Sequence, residues 1–116
     1  MSESIVQKKT FAFALDIIQL YAKLREQREY VLSKQLLRSG TSIGANVAEA
    51  LAGQSRNDFL SKMAIASKEA RETKYWLQLL QESRLVNLNF TRELALVEEI
   101  ILMLTSIVKT TSEKRQ

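Results

Sequence analysis

No proline interrupts this sequence, and glycine occurs only three times in 116 residues. Proline removes a helical hydrogen bond and clashes with the preceding turn, and glycine costs a helix interior about 1 kcal/mol. A chain that nearly lacks both is free to run long helices. Apolar residues make up 46% of it and charged residues 26%, a balance that supports a buried core and argues against disorder. The length suits one domain with one core.

Apolar periodicity divides the chain into four helices. Val6, Phe13, Ile17, Leu20, Tyr21 and Leu24 recur at helical spacing, widened by Ala14 and Ile18, and predict a first helix over 4–27. The polar run from Arg25 to Glu29 marks the connection. A second helix is expected over 31–52, with Gly53 in a left-handed position beyond its end. Ser55, followed three residues on by Asp58, has the form of an N-cap with an acidic capping box. It opens a third helix over 56–83, with Phe59, Met63, Ala66, Ala70, Leu77 and Leu80 facing inward. Val86-Asn87-Leu88-Asn89 breaks the pattern. A fourth helix over 91–110 buries Leu94, Val97, Ile101, Leu104 and Val108, and residues 111–116 form a frayed tail. Short connections make consecutive helices antiparallel, so the expected fold is an all-α, up-down-up-down four-helix bundle. The alternative is a three-helix bundle whose first two segments fuse across residues 25–30.

Cysteine and histidine are both absent. That excludes disulfides and thiolate metal sites, and it removes the commonest general base and metal ligand. No inward cluster of Asp and Glu replaces them, so the chain reads as non-enzymatic, with no catalytic residue, cofactor or metal. Met1-Ser2-Glu3-Ser4 lacks the basic-then-apolar order of a signal peptide, and no run of about 18 apolar residues occurs. A cytoplasmic protein without a membrane partner is expected. The net charge of +4 and pI near 9.5 permit an anionic partner.

The second helix carries the most unusual surface. Leu32, Leu36, Ile43 and Val47 form its core stripe. Beside them Gln35, Arg38, Ser42, Asn46 and Glu49 share an arc of roughly 80° at about 100° per residue. On the far side Thr41, Gly44, Ala45, Ala48 and Ala52 form a strip of small residues that lets another backbone approach, in the same subunit or another. Little of this helix is then left for solvent, so the polar arc is expected to be partly buried, and a buried arginine needs a partner. Glu69 on the third helix is the candidate for Arg38, directly or through Asn46, with Ser42 completing a network. A solvated polar face and a functional site are the other readings of the same arc.

Basic residues supply candidate nucleic-acid contacts. Lys62, Lys68, Arg71 and Lys74 edge the third helix, interrupted by Glu69 and Glu72. Lys8, Lys9, Lys23, Arg25 and Arg28 make the first helix basic near both ends. The aromatics Phe13, Tyr21, Phe59 and Trp76 sit on or near apolar faces and suit the core. Helix four carries Leu96, Ile100, Met103 and Ile107 beside its core stripe, more apolar surface than a bundle needs. The surplus predicts a homo-oligomer.

The run from Gln35 to Glu49, QLLRSGTSIGANVAE, resembles the signature Q-x-x-R-x-x-x-S-I-x-x-N-[IV]-A-E-G of the bacterial four-helix-bundle proteins encoded in intervening sequences of 23S rRNA genes. Ser55-Arg56-Asn57-Asp58-Phe59-Leu60 and Ala64-Ile65-Ala66-Ser67-Lys68-Glu69 match that family's third helix. The resemblance covers nearly the whole chain. Ala50 stands where the family usually has glycine, and the Phe-Pro pair common before the second helix is missing. The resemblance implies a ring-forming bundle, a homopentamer, related to the nucleic-acid-associating accessory proteins of diversity-generating retroelements. Its marked positions are Arg38, Ser42, Asn46, Glu49 and Glu69. Two functions are compatible with these features: an accessory protein that associates with RNA or DNA, and a protein-binding or self-assembling scaffold. A continuous basic face favours the first and a broken one the second.

Overall fold

The computed structural model describes residues 4–114, and among these every regular element is helical. α1 spans Ile5–Glu26, α2 Leu32–Leu51, α3 Arg56–Ser83 and α4 Thr91–Lys114. They run up-down-up-down, each packed on its two neighbours. The molecule is a rod of 48 × 23 × 22 Å. Its long dimension is set by the 28 residues of α3, about 42 Å at 1.5 Å per residue.

The connection after α1 disposes of the three-helix alternative. Arg28 takes a left-handed conformation at φ 65°. Arg28 N–H donates to the Arg25 carbonyl and Glu29 N–H to the Leu24 carbonyl, each at 2.9 Å. That pair of bonds is a Schellman ending, which satisfies carbonyls a continuing helix would have used. α2 then starts on Glu29. Its carboxylate accepts from the backbone N–H groups of Val31, Leu32 and Ser33 at 3.2, 3.0 and 2.6 Å. Three orphan donors of the first turn are thereby paired with one negative charge at the positive end of the helix dipole.

At the other end of α2 the structure departs from the expectation for Gly53, because no glycine has positive φ. The helix closes instead by a tight bond from Gly53 N–H to the Ala50 carbonyl, 3.2 Å. A Cβ on Gly53 would stand 3.1 Å from that oxygen and 3.2 Å from Asp58 Cβ. Glycine is there for closeness to the start of α3. Ser55 caps α3 as expected, its hydroxyl accepting from Asp58 N–H at 3.0 Å. α3 ends on a second left-handed arginine, Arg84, at φ 56°. α4 runs on through Ser112 and Glu113 to Lys114, so the expected fraying from 111 does not occur in that stretch; Arg115 and Gln116 lie outside the described residues.

The core follows the apolar stripes: Phe13, Ile17 and Leu24 meet Leu36, Ile43 and Val47, then Met63, Leu77 and Leu80, then Val97 and Leu104. Phe59, Leu94 and Val108 only flank it. The fourth helix differs most from its reading. Ile100 is buried, and Leu96, Met103 and Ile107 pack against the core rather than forming a surplus face. Leu102 is the exposed one. Phe90, from the last connection, is fully buried and plugs that end.

Candidate functional site

The polar arc of α2 lies on the solvent side of its contact with α3. Gln35, Arg38 and Glu49 are exposed, and Ser42 and Asn46 half-buried. The arc is partly buried, at Ser42 and Asn46 alone, because the fully buried Ser39 takes the close contact with α3, where its hydroxyl accepts from Thr73 Oγ1 at 2.9 Å. Arg38 Nη1 lies 3.6 Å from Glu69 Oε1, and Arg38 Nη2 hydrogen-bonds to Glu72 Oε2. Trp76 Nε1 donates to the same Glu72 oxygen at 3.2 Å. Asn46 takes no part: its amide donates to the Ser42 carbonyl on its own helix, 2.9 Å. Glu49 pairs with Lys62 at 3.1 Å.

Glu72, in the sequence only an interruption of the basic edge, is the second partner of Arg38. The missed signal is spacing: Glu69, Glu72 and Trp76 stand at i, i+3 and i+7 on one face of α3. The result is a clamp between α2 and α3 in which one guanidinium faces both carboxylates: it hydrogen-bonds Glu72, while Glu69 Oε1 is buried beside it without a hydrogen-bond partner among the described residues. Among the described residues no group of three or more acidic side chains is placed to hold a metal ion. None of the helices is long and apolar enough to cross a membrane.

The basic candidates fall into two sets. Lys9 pairs with Glu99 at 2.7 Å and Lys74 with Glu98 at 2.7 Å; Arg71 donates to Thr105 Oγ1 at 3.0 Å. With Lys62–Glu49 and Arg92–Asp16 these contacts tie helix to helix along the sides of the rod, and they interleave negative charge with positive. Lys8 is exposed near the start of α1 and Lys68 on α3. Lys23, Arg25 and Arg28 gather at the end of α1, where the Arg25 guanidinium lies 5.6 Å from the Tyr21 ring and 5.0 Å from the Tyr30 ring. The basic surface along the sides is broken, and the ends differ from the sides.

The small-residue strip of α2 divides in the same way. A Cβ on Gly44 would come within 3.2 Å of the Thr10 carbonyl, so the α1 and α2 backbones nearly touch there. Ala45 and Ala48 are exposed, and with Thr41 and Gly44 they floor a groove whose wall is Phe11, Ala14, Leu15 and Ile18 of α1. Ile18, expected as a widening of the core stripe, joins Phe11 and Leu15 on the outside of α1. All three are exposed.

Four antiparallel helices carrying a clamped polar face, an apolar groove and a basic end define a helical-bundle protein. The chain belongs to the 23S rRNA-intervening sequence protein family, whose model matches residues 2–106. This bears out the resemblance read from the α2 motif. Among solved structures it is similar to a protein of unknown function from the S23 ribosomal protein family of Bacteroides thetaiotaomicron. The two are 48% identical with a TM-score of 0.86, over 90% of this chain and 99% of that one. Comparison with curated proteins finds no match.

Proposed function

We propose that the protein is a non-enzymatic, self-assembling accessory protein whose copies dock through the groove between α1 and α2. One observation carries this reading: Phe11, Leu15 and Ile18 stand 65%, 49% and 47% exposed in a row beside the hollow floored by Ala45 and Ala48. Contiguous apolar side chains of this size are unfavourable on a monomer. The row on one copy fits the hollow on the next. Row and hollow placed side by side suit a twofold pairing of two copies as well as a head-to-tail contact, and the head-to-tail contact closes into a ring when the rotation permits. A ring of five is the size the family resemblance implies. The paired lysines along the sides favour assembly over a continuous phosphate-binding face. Phe11→Glu combined with Leu15→Glu is expected to reduce the light-scattering mass to one chain, 13.3 kDa, with helical circular dichroism retained. A mass of one chain for the unaltered protein at micromolar concentration would end this reading.

A second reading, association with RNA or DNA, is favoured by a separate observation. Among the described residues, the basic groups at the α1–α2 turn have no carboxylate partner of the kind found along the sides. Salt-dependent binding to an oligonucleotide tests it.

A further inference from the structure

Among the described non-glycine residues only Arg28 and Arg84 have positive φ. They follow the last turns of α1 and α3, which end on the same side of the bundle. Glycine and asparagine take this conformation with least strain, whereas a Cβ crowds the following carbonyl. The turn itself therefore does not call for arginine. What arginine adds is the guanidinium, and it adds it twice at one end.

The two turns are locked together. Gln27 Nε2 donates to the Asn87 carbonyl at 3.2 Å, and Asn87 N–H donates to Gln27 Oε1 at 2.6 Å. This reciprocal pair joins the α1–α2 connection to the α3–α4 connection, and Gln27 and Arg84 line one surface recess. Lys23, Arg25, Arg28, Lys34 and Arg84 belong to this end, and none has an ion-pair partner among the described residues. Glu26 and Glu82 share the end and moderate its charge, while the Glu29 carboxylate is occupied by three α2 amides. Arg25 stacks over Tyr30 and fixes that exposed ring beside the cations.

Cations that hold phosphates, next to a fixed aromatic face that holds a base, are what single-stranded nucleic acid requires. We infer that this end of the bundle binds a single-stranded nucleic acid, with Arg28 and Arg84 taking phosphates and Tyr30 offering its ring to a base. The inference rests on the nucleic-acid reading above and narrows it to one ligand class and one surface. It is independent of the groove.

The test uses the full chain with a labelled oligouridylate, an oligothymidylate and a duplex, each of about 20 units, read by fluorescence anisotropy between about 50 and 200 mM salt. Arg28→Gly with Arg84→Gly keeps the left-handed turns and removes both guanidinium groups, so helix content and oligomer mass are expected to stay as they are. Single-strand affinity is expected to fall about tenfold or more, and the log–log salt slope to flatten by about 1.4, near 0.7 per phosphate. Tyr30→Ala is expected to weaken binding about fivefold or more without flattening the slope. Lys109→Ala with Lys114→Ala removes equal charge at the opposite end of the bundle and is expected to change affinity less than about twofold. Equal binding of the two single strands supports recognition of phosphate and base, and preference for oligouridylate supports it with an added contact to the 2′-hydroxyl. Duplex bound as tightly as single strand would overturn the inference, as would equal losses from the lysine and arginine pairs, yet both leave the broader nucleic-acid reading standing. Absence of any salt-dependent binding by the unaltered chain would overturn both.

Discussion

Arg38 on α2 reaches Glu69 on α3 with Nη1 3.6 Å from Oε1, while its second amino group bonds Glu72 one turn farther along. The partners differ in exposure: the arginine side chain is 54% exposed, Glu69 14% and Glu72 29%. The clamp thus sits between an exposed ion pair, worth about 0–1 kcal/mol, and a buried pair, whose breaking costs about 3–5 kcal/mol. Solvent reaches the arginine and screens it, and the near-buried Glu69 is the group its removal would strand.

Arg38→Ala is accordingly expected to destabilise the bundle by about 1 kcal/mol, near 4 °C in melting temperature, rather than by the full buried-pair cost. Arg38→Ala with Glu69→Gln should recover part of that loss, since the stranded charge is then gone. Thermal melts of both variants against the parent check this. A loss in the single variant as large as about 4 kcal/mol would show the clamp to be buried in solution.

Glu29→Ala removes the acceptor of three backbone N–H groups at the start of α2. A lost cap costs about 1–2 kcal/mol. Glu29→Gln keeps one acceptor oxygen without the charge, so it should fall between alanine and the parent. Urea unfolding is expected to show a lower midpoint at constant slope.

Gly40→Ala sets two effects against each other. Alanine in a helix interior gains about 1 kcal/mol over glycine. Its Cβ, however, would meet Ile17 Cγ2 at 2.8 Å and Cγ1 at 2.9 Å. Ile17 is fully buried and stiff at its branched Cβ, so overpacking at about 1–3 kcal/mol wins and the variant loses stability. Ile17→Ala in the same chain removes both clashing atoms, and a double-mutant cycle should show strong coupling.

Arg84→Gly is expected to raise stability by about 0.5 kcal/mol. The left-handed conformation costs a Cβ-bearing residue about 1–2 kcal/mol, and the extra chain entropy of glycine takes back about 0.5–1 kcal/mol. Denaturant midpoints decide it. A loss of stability would mean that the guanidinium itself holds the end of α3 in place.

The absence of proline, the apolar periodicity and the cap at Ser55 determined four helices and their order, because each of these acts within a turn or two of chain. The same local signals revealed which residue types share a face, so Arg38 and Glu69 were legible as partners. Other features depended on how helices meet. Glu72 joined the clamp and Asn46 left it because α2 presents Ser39, not its polar arc, to Thr73. Ile100 entered the core beside Ile101 because α4 packs against both α1 and α3. The apolar groove arose where Phe11, Leu15 and Ile18 of α1 border the small strip of α2, residues about 30 positions apart in the chain. A helix's periodicity defines its faces, but the rotation of each helix and the identity of its opposite face are settled by side chains packing across the interface. That physical choice is made only in the tertiary structure.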